Sequence, residues 1–451
     1  MNIPVLADNF DYWDLRVLKN KVEIVSVDDE TVNALNVSDA FSVGLRVVKN
    51  GSWAFVSSNK LDLNNLFKQA LKISKIKGVK IGSLPKIFDS AKFKSSFKIN
   101  PFNESIEKKI SILKELNSEI KNYSKEISTA QTYIAYNKND LEIVNSSGAQ
   151  INGESLFTRY FTKGIAVKNG CLQQAFERNY VTGGLEVLYD EDLLKLASKV
   201  GERVIRLLHA KHAPPKRLPV VCDANMTGLF FHEAVGHACE ADEVLMNASV
   251  LKGKVGEKVA SDLITFSDYS GPKNSFGRVV FDDEGVKKKE AVLIDKGVLK
   301  GYLHSLHTAS IMNVEPTGNG RAMSASNFPI PRMTTLKVKS GSFNESELFS
   351  GVKRGVLVKG FKGGEVNPTE GKFIFAASEA FMIENGEITT PLRDVTISGN
   401  IEKTMHCISG VSKKVELTDG GVCGKAGQHV PVSEVMPWTR IDEVLVGGRD
   451  S

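Results

Sequence analysis

Gly44-Leu-Arg-Val-Val-Lys-Asn-Gly51 and Gly164-Ile-Ala-Val-Lys-Asn-Gly170 read as two copies of one local design. Each closes a β-branched run with an Asn-Gly pair, a dipeptide suited to a two-residue hairpin turn because both positions tolerate positive φ. Each is followed by another short strand and then by a helix whose apolar residues keep the 3–4 spacing of one buried face. In the first copy these are Leu63, Leu66, Phe67, Ala70 and Leu71. In the second they are Leu193, Leu194, Ala197, Val200, Val204 and Leu208. The pattern predicts a duplicated sheet-then-helix unit. Between the copies, Ile106, Ile110, Leu113, Ile120 and Tyr123 mark another helix. Asn103 is its expected N-cap, since its side chain can accept from the orphan N–H groups of a first turn.

The stretch Lys211-His-Ala-Pro-Pro-Lys-Arg-Leu-Pro219 stops the second copy's helix. Proline cannot continue a helix and restricts the residue before it. The expected division is an N-terminal α+β domain with an internal repeat, residues 1–213, and a strand-rich α+β domain, residues 214–451. The second half is cut into short apolar runs, such as Ala291–Ile294 with Val298–Leu303, and Ala380–Ile383 with Asn385-Gly386. A length of 451 residues suits two or three domains.

Composition is that of an ordinary globular chain, 41% hydrophobic and 25% charged. No stretch approaches the roughly 18 apolar residues of a membrane span. The start, Met1-Asn-Ile-Pro4, lacks the basic and apolar regions of a secretory signal, so the expected location is cytoplasmic. Five cysteines without framework spacing disfavour a disulfide scaffold. A net charge of +5 is too weak by itself to argue for nucleic acid. Lys72, Lys75, Lys77, Lys80, Lys86, Lys92, Lys94 and Lys98 crowd one segment with a single acid, Asp89. Clustered lysines can release counterions from phosphates, but no nucleic-acid motif frames the nearby Phe93 and Phe97. The segment reads as a solvated linker, and nucleic acid is not an expected partner.

The chemistry concentrates after Pro219-Val-Val221, which reads as a short strand. Asp223 and Asn225 can begin a turn and Thr227 can cap a helix. The helix that follows, Gly228-Leu-Phe-Phe-His-Glu-Ala-Val-Gly-His-Ala-Cys-Glu240, is largely apolar, interrupted by His232, Glu233 and His237. Burying such groups is costly unless they are paired or bind a metal. The familiar zinc helix H-E-x-x-H sets its histidines four apart. Here they are five apart, about 140° around a regular helix. Convergence on one ion therefore demands a local π-type widening, or a helix end near Gly236–His237. With zinc bound, Glu233 could take the proton of a zinc-bound water and later protonate a leaving amine. A catalytic zinc needs a third protein ligand. Nearby candidates are Cys239, which should point elsewhere, Glu240 and Asp242; distant ones are Cys407, Cys423, His304, His307 and His429. Cys423 stands out because Gly420-Gly-Val-Cys-Gly-Lys-Ala-Gly427 reads as a glycine-rich loop, with Lys425 placed to favour a thiolate.

The chain resembles the TldD/PmbA peptidases. The resemblance rests on Phe231-His-Glu-Ala-Val-Gly-His237, Val280-Phe-Asp-Asp-Glu-Gly285, Gly297-Val-Leu-Lys-Gly-Tyr-Leu-His-Ser305 and Glu315-Pro-Thr-Gly-Asn-Gly-Arg321. It continues through Pro329-Ile-Pro-Arg-Met333, Ser378-Glu-Ala380, Ile383-Glu-Asn-Gly386, Cys423-Gly-Lys-Ala-Gly-Gln428 and Val446-Gly-Gly448. The retained H-E-x-x-x-H signature makes it similar to the metal-bearing, TldD-type subunit. The resemblance implies a two-domain α+β fold, zinc held by His232, His237 and Cys423, and Glu233 as acid/base. It also implies peptides or unfolded segments as substrates, met inside a dimer: a homodimer or a heterodimer with a metal-free PmbA/TldE-type subunit. Cys239 and the Glu240-Ala-Asp242 that follows it depart from the family pattern, and so does His429, which could compete with Cys423 as third ligand. The alternative reading is a non-catalytic subunit that binds peptides or modulates a DNA enzyme.

Overall fold

Both Asn-Gly pairs are turns with positive φ throughout: 54° and 73° at Asn50 and Gly51, 49° and 80° at Asn169 and Gly170. Each turn closes a meander. β1 (Tyr12–Asp28), β2 (Thr31–Lys49) and β3 (Ser52–Ser58) lead into α1 (Leu63–Ile73). After β4 (Ser90–Lys94) and α2 (Ile106–Asn122), the scheme repeats with β5 (Ile127–Asn145), β6 (Gln150–Lys168) and β7 (Cys171–Thr182). A single turn, α3 (Val187–Asp190), then precedes α4 (Leu193–Leu208). The copies meet along β1 and β5, with Asp14 opposite Asn145 and Asp28 opposite Gln131. One sheet results, β3-β2-β1-β5-β6, with β4 parallel and β7 antiparallel to β6. This computed structural model describes residues 2–76, 81–82, 84–87, 89–190 and 193–447. Met1, Lys77, Lys80 and Gly448 lie outside the described residues.

The helices cover the sheet through the stripes the periodicity marks. α1 buries Leu66, Phe67 and Ala70 against Leu15, Leu45 and Val47. α4 buries Ala197, Val200 and Val204 beside Leu113 and Ile120 of α2. The cap of α2 is Ser105, whose hydroxyl accepts from Lys108 N at 3.3 Å, not Asn103. Pro101–Asn103 forms its own 3-10 turn, capped by Asn100, so the helix cannot begin until the chain has left that turn.

The second sheet has 13 strands. β8 (Lys211–His212) already belongs to it, parallel to Glu387–Arg393. β9 (Lys216–Cys222) runs inside it, antiparallel to the long strand Gln428–Gly447 and parallel to Arg354–Asn367. Asn385 and Gly386 turn with φ of 53° and 85°, as the dipeptide requires. The architecture is a mixed, strand-rich α+β fold. Its halves are joined by a buried ionic knot, where Arg46 of β2 donates to Asp14 of β1 at 2.6 Å and also pairs with Glu284 of the second half. Trp53 and Phe328 close over the guanidinium, 4.7 and 5.2 Å from ring centre to Cζ. Among the described residues no helix is long and apolar enough to cross a membrane.

Candidate metal centre

β9 is flanked on both sides, so the segment leaving its end at Cys222 starts from a rigid position. Asp223 turns it into α5 (Ala224–Leu229), its carboxylate accepting from Met226 N at 2.8 Å and from Gly360 N at 3.0 Å. Asp223 therefore caps the helix, not Thr227. The strand runs to residue 222, so Thr227 falls inside the helix and its hydroxyl meets that of Thr439 at 2.9 Å.

From Phe230 to Gly236 the helix widens into a π-helix, followed by a 3-10 turn at His237–Cys239. His237 N donates to His232 O, an i+5→i bond that brings residues five apart toward one face. The two rings lie 5.3 Å apart, nearly perpendicular. Gly236 keeps an ordinary helical φ of −58°. It is glycine because a Cβ there would lie 2.1 Å from Met333 Sδ, so the requirement is space rather than backbone freedom.

Cys423 arrives from the far end of the chain. Its segment is not a loop but a strand, Gly421–Lys425, hairpinned to Gln428–Gly447 through Ala426 and Gly427 at φ of 49° and 71°. Gly420, just before the strand, also has a positive φ of 71°, while Gly421 and Gly424 lie within the strand. Cys423 Sγ lies 3.3 Å from His237 Nε2. Ligand atoms of His232, His237 and Cys423 all fall within 4.8 Å of one another.

A carboxylate stands behind each imidazole. His232 Nδ1 is 3.0 Å from Glu434 Oε1, and His237 Nδ1 is 2.9 Å from Glu240 Oε2. Carboxylates so placed leave Nε2 as the forward nitrogen of each ring, the arrangement that supports metal-binding histidines. Glu434 is itself held by the Thr418 hydroxyl at 2.7 Å. Glu240, fully buried, receives Lys425 Nζ at 2.9 Å and faces Arg332 Nε at 3.9 Å. Lys425 is thus committed to Glu240 and to Asp242 at 2.7 Å, and the thiol's environment is set by the histidines instead. Arg332, also fully buried, donates to the carbonyls of Cys423 and Gln428 at 2.6 and 3.2 Å. One guanidinium therefore ties the cysteine strand to the carboxylate behind His237.

Burial pushes the Cys423 thiol up, but the His232 and His237 rings outweigh it and bring it down to about 4. Burial lowers His237, and Glu240 and Cys423 together raise it to about 10. Glu240 is held at about 2: His237, Lys425 and Arg332 overcome its burial. Glu233 points to the open side. Its side chain is 34% exposed, with Oε2 3.8 Å from His237 Nε2.

The other candidate ligands lie elsewhere. Cys239 is sealed in the core. His304 Nδ1 meets the Thr308 hydroxyl at 3.3 Å, and His307 packs edge-on to Trp53. His429 is exposed, opposite Gly424, one position out of phase with Val430 and so on the other face from Cys423. Glu434 and Arg332 escaped the sequence reading. The signal for Glu434 was an acid in the alternate row Val430, Val432, Glu434, Met436, whose other members are buried. Arg332 left no comparable trace.

Models of the PmbA/TldA metallopeptidase domain 1, central domain and C-terminal domain match residues 13–74, 99–208 and 215–448 respectively. A protein of Methanocaldococcus jannaschii named metalloprotease is 37% identical over 96% of this chain and 96% of its own length. A protein of Saccharolobus solfataricus named zinc metalloprotease TldD homolog is 29% identical, with 96% and 95% covered. The fold also matches the crystal structure of TldE from Thermococcus kodakarensis with a TM-score of 0.78, at 20% identity and 98% coverage of both chains.

Proposed function

The chain belongs to the PmbA/TldA metallopeptidase family, beside its TldD-type members, and from that premise we propose that it is a zinc-dependent peptidase. The observation that carries the reading is the donor set. Two imidazoles are backed by carboxylates at 3.0 and 2.9 Å, and the Cys423 sulfur lies 3.3 Å from a forward ring nitrogen. Two nitrogens and one thiolate suit zinc and leave a fourth position open. His232, His237 and Cys423 would hold it. When bound there, zinc supplies a Lewis acid that polarises a scissile carbonyl and acidifies water.

The chain's own residues do the rest. Glu233, next to a ligand and on the open side, takes a proton from the attacking water and returns it to the leaving amine. Glu434 and Glu240 keep both rings in one tautomer and orientation. Arg332 and Lys425 keep Glu240 ionised and in place. The substrates we infer are peptides or unfolded segments. The partner is a second copy or a metal-free TldE-type chain, and residues 1–213 and 214–451 act as the two domains, except that β8 (Lys211–His212) pairs in the sheet of the second.

Zinc analysis together with digestion of an unfolded protein tests this, on the native chain and on Cys423→Ser. The expected outcome is about one zinc per chain and hydrolysis, both lost in the variant. Undiminished zinc in Cys423→Ser would remove that residue from the ligand set. Full zinc without hydrolysis in the native chain would remove the peptidase.

A further inference from the structure

The two halves enclose a cavity of about 560 Å³, a size ordinary for a ligand site. One wall is the hairpin that carries Cys423: Val430, directly opposite Cys423 in the strand pair, lines it together with Pro431. The floor is β1 and β5, where Asn20 donates to Asn137 and Asn139 at 2.6 Å each.

Cations outnumber acids in the lining of this cavity, with Lys94, Lys273, Arg278 and Arg321 against Asp282 and Asp283. Arg321 lines it and is only 6% exposed. Its Nη1 donates to the carbonyls of Met333 and Pro431 at 2.5 and 2.7 Å. Among the described residues no carboxylate oxygen lies within 4.0 Å of its guanidinium nitrogens. Burial brings Arg321 down to about 10 against the pull of Asp283 and Asp268, which act on it from beyond contact distance, so it stays charged at neutral pH. Arg278 and Lys273 add two more cations, and Arg278 Nη1 donates to the Gly271 carbonyl at 2.8 Å. The two acids of the lining are occupied. Asp282 accepts from the N–H groups of Glu284, Val286 and Gly320, at 2.9 Å each. Asp283 accepts from Ala322 N at 2.8 Å. The remaining cation, Lys94, pairs with Glu154 at 3.1 Å. A buried guanidinium with no carboxylate in contact is only partly compensated in the free chain and is relieved by an incoming anion. Its planar fork matches a carboxylate.

We propose that this cavity is a carboxylate-binding subsite, in which Arg321, with Arg278 and Lys273, receives an anionic group of the substrate peptide, either its C-terminal carboxylate or an Asp or Glu side chain. The subsite rests on the peptidase reading and adds a substrate class to it. Its wall shares the hairpin of Cys423, with Val430 opposite that residue, although His232, Glu233, His237 and Cys423 do not themselves line the cavity.

The test uses three labelled alanine-rich peptides: free C-terminus, amidated C-terminus, and amidated with one internal Glu. Binding to the full-length Glu233→Gln chain is read by fluorescence anisotropy, and hydrolysis by the native chain is read in parallel. One or both carboxylate-bearing peptides should bind about tenfold tighter than the neutral one, the worth of a charged hydrogen bond. A preference confined to the free C-terminus identifies the terminal carboxylate, and one shared by the Glu peptide identifies the side chain. Arg321→Gln should erase the preference. Arg278→Gln combined with Lys273→Gln alters residues that are not buried, and it should reduce the preference several-fold without touching the core. Equal affinity for all three peptides, or a preference intact in both sets of variants, overturns the subsite. Hydrolysis with no preference removes the subsite alone; carboxylate-selective binding with no hydrolysis by the native chain removes the peptidase reading alone.

Discussion

Two buried charge clusters in this molecule look alike by composition and differ in what occupies their centres. In the knot between the halves, Asp14 and Glu284 converge on Arg46, and Trp53 and Phe328 cover it. The chain supplies the cation, so the cluster is complete. At the other, Glu240 and Glu434 stand behind two imidazoles, while the front is the Cys423 sulfur and two ring nitrogens within 4.8 Å of one another. Among the described residues no lysine or arginine pairs with those front atoms: Lys425 and Arg332 are both turned to Glu240 and to main-chain carbonyls. The difference separates a strut from a site. Where a cluster's carboxylates already face a cation of the chain, nothing further is needed. Where imidazole and thiol donors face each other, the metal ion we propose would complete it.

The sharpest way to break the contrast is at the residue on the open side. Glu233→Gln should lower kcat by ~10²–10⁴-fold, the usual worth of a general acid–base group, with zinc content unchanged. Native-like turnover in that variant would end the assigned role. The knot should answer through stability instead. Arg46→Ala leaves two buried carboxylates uncompensated and should cost about 3–5 kcal/mol, read as a lowered urea midpoint. Arg46→Met with Asp14→Asn and Glu284→Gln removes all three charges together and should recover much of that loss. A triple variant as unstable as Arg46→Ala would mean that packing, not charge, holds the joint.

A smaller effect is expected from the carboxylates behind the rings. Glu434→Gln should weaken zinc binding ~10–100-fold, as loss of such a partner commonly does, measured by competition with a chelator. An unchanged affinity would demote Glu434 to packing. The smallest effect concerns a buried acid that satisfies neither pattern. Asp223 accepts N–H bonds from Met226 and Gly360, and burial raises it to about 6. An acid raised by folding stabilises the protein fully below its unfolded value near 3.8 and loses that contribution as pH rises through about 6. Asp223→Asn should flatten that part of the stability–pH curve. Asp419, raised to about 6 by the same cause, keeps a remainder of the slope. A curve unaltered by the substitution would place the titration elsewhere.

Sequence determined whatever depends on neighbours along the chain. Asn50-Gly51 and Asn169-Gly170 adopt the positive-φ turns that such pairs favour, and the apolar spacing of α1 and α4 marks the faces they bury. The five-residue spacing of His232 and His237 required a widened helix, because a regular one would spread the rings about 140° apart, and the chain builds a π-helix there. Tertiary structure decided everything that needs two distant segments. Cys423 meets His237 across 186 positions because the strand Gln428–Gly447 first pairs with the cysteine strand and then with β9, which launches the helix. That same strand delivers Glu434, and Arg332 links the cysteine strand to Glu240. Spacing can state that two histidines need a third ligand and a partner behind each ring. Which residues answer is set by strand order and register, where a shift of one position turns every side chain to the opposite face.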